Sequence, residues 1–207
     1  TKVVPKGAVD KIFINTTGIG EILYKGISSN NITENDLILV SRDIGAHGAT
    51  IFAAREGMDL ETSLKSDCIS LYPQVKALID SGVKITALRD ATRGGVSAVL
   101  NEWAKQSNVC IEIDEEKIPV CDEVKGICEI LGFDAMSLAN EGTFVLAIKK
   151  EDAQKALEVL QTFKEAKTAS IIGKVTQQYE QRVILNSQWG TKRFLDIPTG
   201  ELLPRIC

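Results

Sequence analysis

The stretch LRDATRGGVSAVLNE (88–102) gathers Asp90, Thr92, Arg93 and the pair Gly94–Gly95 just ahead of an apolar helical repeat. Unpaired N–H groups at such a helix start attract anions, and glycines there let a phosphate or another backbone approach closely. The same residues admit a purely structural role: Thr92 as the cap, Asp90 complementing the dipole, Arg93 paired with a carboxylate, and glycines that permit tight helix–sheet packing. The stretch lacks the Gly-Lys-Ser/Thr ending of a P-loop. A second stretch, GAHGAT (45–50), flanks the single histidine, His47, with glycines, as an anion-binding turn or as a structural helix start. In LANEGTFV (138–145), Glu141 stands in a turn before a strongly apolar strand, where a carboxylate can act as a base or metal ligand, although Asn-Glu-Gly is also an ordinary turn sequence. The last stretch, PTGELLPRIC, ends on the thiol of Cys207. Extended, about ten residues reach roughly 33 Å, so this tail can carry a nucleophile between two sites. Arg205 favours the thiolate and the terminal carboxylate opposes it.

Elements of two kinds must position these groups. Continuous or alternating apolar runs predict strands at KIFIN (11–15), DLILVS (36–41), VKITAL (83–88), VCIEI (109–113), TFVLAI (143–148), SIIGKV (170–175) and RVILN (182–186). Helical spacing places Leu71, Val75, Leu78 and Ile79 on one face of 70–82, with Pro73 in the first turn and Gly82 as a stop. It does the same for Val96, Val99, Leu100 and Trp103 in 92–106, and for Ala153, Ala156, Leu157, Leu160 and Phe163 in 151–164; residues 44–56 can also be helical. This order predicts an α/β or α+β fold, a mixed sheet covered by helices. The Ser/Asn/Gly-rich segment 26–36 reads as a turn or linker. It divides residues 1–25, the remnant of another domain, from one domain at 36–197, followed by a mobile tail at 198–207 that carries Cys207.

Composition narrows the function classes. The 207 residues carry a formal net charge of −4 and no dense Lys/Arg run, which argues against nucleic acid. The longest apolar runs, 37–40 and 144–148, fall far short of the roughly 18 residues of a membrane span. Five cysteines without a CxxC pair, beside one histidine, argue against zinc and read as reduced thiols of a cytoplasmic protein, four of them in core or on helix surfaces. The chain opens on Thr1 rather than Met, which suggests a piece of a longer protein.

TKVVPKGAVDKIFINTTGIG, HGATI, REG, SDC, ALRDATRGGV, ANEG and the terminal PRIC together resemble, along the whole chain, the HypE family of hydrogenase maturation carbamoyl dehydratases. That family lies within the superfamily of aminoimidazole ribonucleotide synthetase and selenophosphate synthetase. DATRGG and ANEG are common to the superfamily, whereas PRIC at the end is specific and speaks against the two synthetases as alternatives. The resemblance implies that the terminal cysteine receives a carbamoyl group from the carbamoyltransferase HypF. ATP with Mg2+ then drives loss of water to a thiocyanate, the source of the iron-bound cyanide of nickel–iron hydrogenases, with a HypC–HypD complex as acceptor. It also implies a homodimer built through an N-terminal ATP-binding domain, most of which would precede Thr1. Carried over, Cys207 is the carrier thiol, Glu141 a proton acceptor and Lys2 a group near the nucleotide or carbamoyl site. Asp90, Thr92, Arg93, Gly94 and Gly95 match a phosphate-side loop, and His47 matches a glycine-flanked histidine. The family usually has Asp where this chain has Ala46. The chain alone could instead be a carrier or docking module that presents Cys207 to partners.

Overall fold

The computed structural model describes residues 16–55 and 63–197. The predicted strand 11–15, Lys2 and Cys207 lie outside them. Seven strands form one mixed sheet: β1 (Leu37–Val40), β2 (Ile85–Asp90), β3 (Cys110–Asp114), β4 (Phe144–Ile148), β5 (Ser170–Thr176), β6 (Arg182–Asn186) and β7 (Lys192–Phe194). Their order is β2-β4-β1-β5-β3-β6-β7, with β3 and β6 parallel and every other pair antiparallel. The expected fold class is the one observed.

Strand alternation sorts the apolar side chains to two faces. Ile38, Val40, Val145 and Ala147 face α3 (Gly95–Ser107), which contributes Val96, Val99, Leu100 and Trp103. Leu39, Phe144, Leu146 and Ile148 face the opposite layer, where Leu78 of α2 (Tyr72–Asp80) and Ala153, Ala156 and Leu160 of α5 (Lys150–Gln161) close over them. A smaller cluster joins α1 (Ala46–Arg55) to α4 (Asp122–Leu131) through Ala49, Ala53, Val124, Ile127 and Leu138.

Three elements depart from the sequence reading. The segment 26–36 does turn, in a 3-10 helix at Ser29–Asn31, but it is docked rather than free. The Ser28 N–H donates to Thr86 O at 2.9 Å, and Ile32 is buried among the side chains packed on α3. Two apolar residues in a polar run, Ile27 and Ile32, pack against the two sides of the core and pull the segment onto it. Helix α4 escapes prediction because Gly126 at its centre lowers the helical propensity of the run and Cys121 offers no side-chain cap. Strand β7 escapes because all three of its residues are exposed, so its existence depends on pairing with β6 rather than on any apolar alternation.

Candidate functional site

Sheet order sets the site. Strand β4 runs antiparallel to both neighbours in β2-β4-β1, so the C-terminal ends of β2 and β1 flank its N-terminal end. The loops that follow β1 (41–45), follow β2 (91–94) and precede β4 (138–143) therefore meet. GAHG, DATRGG and ANEG, separated widely in sequence, lie in these loops and at the element ends that border them.

Asn140, fully buried, ties the three together. Its Oδ1 accepts the Gly45 N–H at 2.7 Å, and its Nδ2 donates to Ala91 O at 2.9 Å and to Leu138 O at 3.0 Å. The loops also bond directly, Gly48 N–H to Ala139 O at 2.9 Å and Ala91 N–H to Thr143 O at 3.0 Å. Sequence reasoning singled out Glu141 and passed over its neighbour, whose contribution lies wholly in contacts distant along the chain. Replacing Asn140 by Ala strands one buried donor and leaves two carbonyls short of a partner. Stability should fall by on the order of 3 kcal/mol, read as a lower urea midpoint at unchanged m-value.

Asp67 was also missed as a site residue, although it lies within the SDC motif. It is 3% exposed, and its carboxylate accepts the Glu141 N–H at 3.0 Å, the Gly142 N–H at 3.0 Å and the Thr143 hydroxyl at 2.9 Å. Gly142 must be glycine here, since a Cβ would collide with the backbone oxygen of Asp67. Glu141 itself is half-buried, and its carboxylate makes no hydrogen bond or ion pair among the described residues. His47 lies in the first turn of α1, which Gly45 enters at φ +86°. Its Nδ1 is 2.8 Å from Ser66 Oγ, and its buried Nε2 has no hydrogen-bond partner among the described residues.

The start of α3 corrects one expectation. Thr92 does not cap the helix: Gly94 occupies the cap position at φ +74°, no side chain caps it, and Gly95 follows at φ +61°. Two consecutive left-handed residues, the cap and the first residue of α3, turn the chain where the helix begins, which leaves the Thr92 hydroxyl too far back. Its carbonyl instead accepts the Gly95 N–H at 3.1 Å. Gly95 is packed so tightly against Met136 O and Leu138 O that a Cβ would not fit. Arg93 is exposed and has no ion pair among the described residues; it is Arg89 that pairs with Glu102. Asp90 is exposed at the end of β2. A free guanidinium beside an uncapped helix start suits an anionic group such as a phosphate. Among the described residues no group of three His, Cys, Asp or Glu side chains is placed to hold a metal ion, and no helix is long and apolar enough to cross a membrane.

The cysteines separate by environment. Cys110 and Cys128 are buried, and burial, with Asp134 adding, pushes the Cys128 thiol up to about 11. Burial also raises the half-exposed Cys121. Cys68 is exposed on a loop, neither core nor helix surface as expected, because Asp67 beside it is the residue turned inward. In native alkylation Cys68 and Cys207 should label quickly and Cys110 and Cys128 slowly, measured by peptide mass spectrometry over time.

Residues 33–186 match the family described as AIR synthase related protein, C-terminal domain. The chain belongs to that family. It is also homologous over its whole length to HypE: carbamoyl dehydratase HypE of Escherichia coli is 46% identical over 211 residues, covering 100% of this chain and 61% of that protein. The crystal structure of hydrogenase maturation protein HypE in complex with ATP matches with a TM-score of 0.91 and 39% identity, covering 100% of this chain and 63% of that one. A HypE–HypF complex matches with a TM-score of 0.80 and 41% identity, over 85% of this chain and 58% of that one. The chain spans about three fifths of the length of the curated relatives it matches.

Proposed function

We propose that this chain is the C-terminal part of a HypE-type carbamoyl dehydratase, in which Cys207 carries a carbamoyl group that is dehydrated to a thiocyanate at the converging loops. One observation carries the reading. The end of the described chain is fastened to α3, with the Ser97 hydroxyl donating to Asp196 O at 2.9 Å and Asn101 Nδ2 donating to Leu195 O at 2.8 Å. The described chain therefore ends beside the first two turns of α3, and ten residues follow as the segment 198–207. Fully extended it spans at most ~33–36 Å, enough to bring the thiol to this site and to a second protein.

Sulfur is nucleophilic enough to hold the carbamoyl group, but the oxygen of a thiocarbamate leaves poorly. ATP supplies the phosphoryl group that makes that oxygen leave as phosphate. Arg93 and the α3 N-terminus hold the phosphate side, with Asp90 and Thr92 beside them. As the oxygen is phosphorylated the nitrogen gives one proton to solvent, and Glu141, whose carboxylate has no partner among the described residues, takes the other as phosphate leaves and the C≡N bond closes. His47 lines the same loop cluster, and Lys2 approaches the nucleotide or carbamoyl group.

Residues 1–25 belong, in this reading, to the N-terminal ATP-binding domain, which supplies the homodimer contacts and most of the Mg2+ site. The chain alone then turns over little ATP. HypF loads the thiol and a HypC–HypD complex accepts the cyanide, in a cytoplasmic pathway. The test is the intact mass of the full-length protein incubated with HypF, carbamoyl phosphate and ATP. A carbamoyl adduct on the C-terminal peptide should appear first and then lose the mass of water. No adduct on Cys207 would overturn the proposal.

A further inference from the structure

Asp67 is a buried carboxylate with no ion pair among the described residues, an arrangement that costs free energy unless donors surround it. All three of its donors come from one place, the turn 141–143. A neutral amide of the same size would have one acceptor oxygen for that turn, whereas a carboxylate has two and can take three bonds at once. These bonds pin the backbone on both sides of the Glu141 Cα, and the Gly142 backbone lies directly against that of Asp67. Because the Glu141 side chain has no partner of its own among the described residues, its backbone is the anchor from which the carboxylate reaches, and the bonds to Asp67 hold that anchor. The neighbouring Ser66 Oγ meets His47 Nδ1 at 2.8 Å and accepts the Cys68 N–H at 3.2 Å, so the strap that carries Asp67 is itself fastened at the start of α1.

We infer that Asp67 is the positioning residue for Glu141, acting on dehydration through that glutamate and not by touching the carbamoyl group. The inference rests on the reading of Glu141 as proton acceptor. Misplacing a reacting group by about 1 Å can cost up to ~10²-fold. Asp67→Asn in the full-length protein should therefore slow dehydration by roughly 10- to 100-fold, in kcat, with KM for ATP and loading by HypF unchanged.

A double-mutant cycle separates positioning from general support of the fold. In a Glu141→Gln background, Asp67→Asn should add less than about a two-fold loss, since there is no longer a base to misplace. Thr143→Val, which removes one donor to Asp67, should slow the wild-type background and not the Glu141→Gln one, while Thr143→Ser should keep the wild-type rate. Thermal unfolding of each variant reports whether the fold persists, and the Thr143 pair carries the test if Asp67→Asn does not fold. An unchanged rate in Asp67→Asn, or the same fold-loss in both backgrounds, overturns the inference alone. A wild-type rate in Glu141→Gln itself overturns the reading of Glu141, and this inference with it.

Discussion

Replacing Cys207 by Ser in the full-length protein is expected to abolish thiocyanate formation. Serine differs by a single atom, so folding should be unchanged, and thermal unfolding of the two proteins should coincide. The chemistry differs much more. A thiol has a pKa near 8.5 and supplies some thiolate at neutral pH, whereas a serine hydroxyl without an adjacent base is a weak nucleophile. Loading by the carbamoyltransferase should fail first, so the C-terminal peptide should keep its unmodified mass through the whole incubation. A carbamoyl adduct elsewhere, on Cys68 for example, followed by loss of water would show that the wrong thiol has been chosen. Cys68 is the informative control because it is the exposed cysteine among the described residues.

Glu141→Gln should behave differently, with loading intact and dehydration slowed by roughly 10²- to 10⁴-fold, the range for losing a positioned general base. The substitution leaves the backbone N–H of residue 141 free to donate to Asp67 as before. Gln also keeps the side chain's size, so the carbamoyl adduct should accumulate on Cys207 and persist. Mass spectrometry follows both steps on one peptide. Dehydration at the wild-type rate would mean that residue 141 only completes a turn.

Much of the scaffold was legible because it is written locally. RVILN (182–186) is read as a strand from its own composition and coincides with β6. Val96, Val99, Leu100 and Trp103 recur at helical spacing and all four are buried on α3. Elements whose local signal is poor were not legible: α4 is held by the packing of Val124 and Ile127 with α1, and β7 depends on pairing with its partner strand. Thr92 shows the limit of motif reading from the other side, since a threonine before a helix reads as a cap until the left-handed glycines that follow it displace it.

By itself, then, the sequence determined the alternation of strands and helices, the apolar faces, the DATRGG and ANEG loops, and a thiol at the end of the chain, since each depends on residue types within a few positions of one another. Only the tertiary structure decided what those loops do together. Asn140 reaches Gly45 across 95 positions, and Asp67 reaches Glu141 across 74. An aspartate reads the same in sequence whether it is solvated or buried. Its contacts came into view when β4, antiparallel between β2 and β1, brought three loop ends to one edge of the sheet, where the buried carboxylate accepts three hydrogen bonds from the turn that carries Glu141.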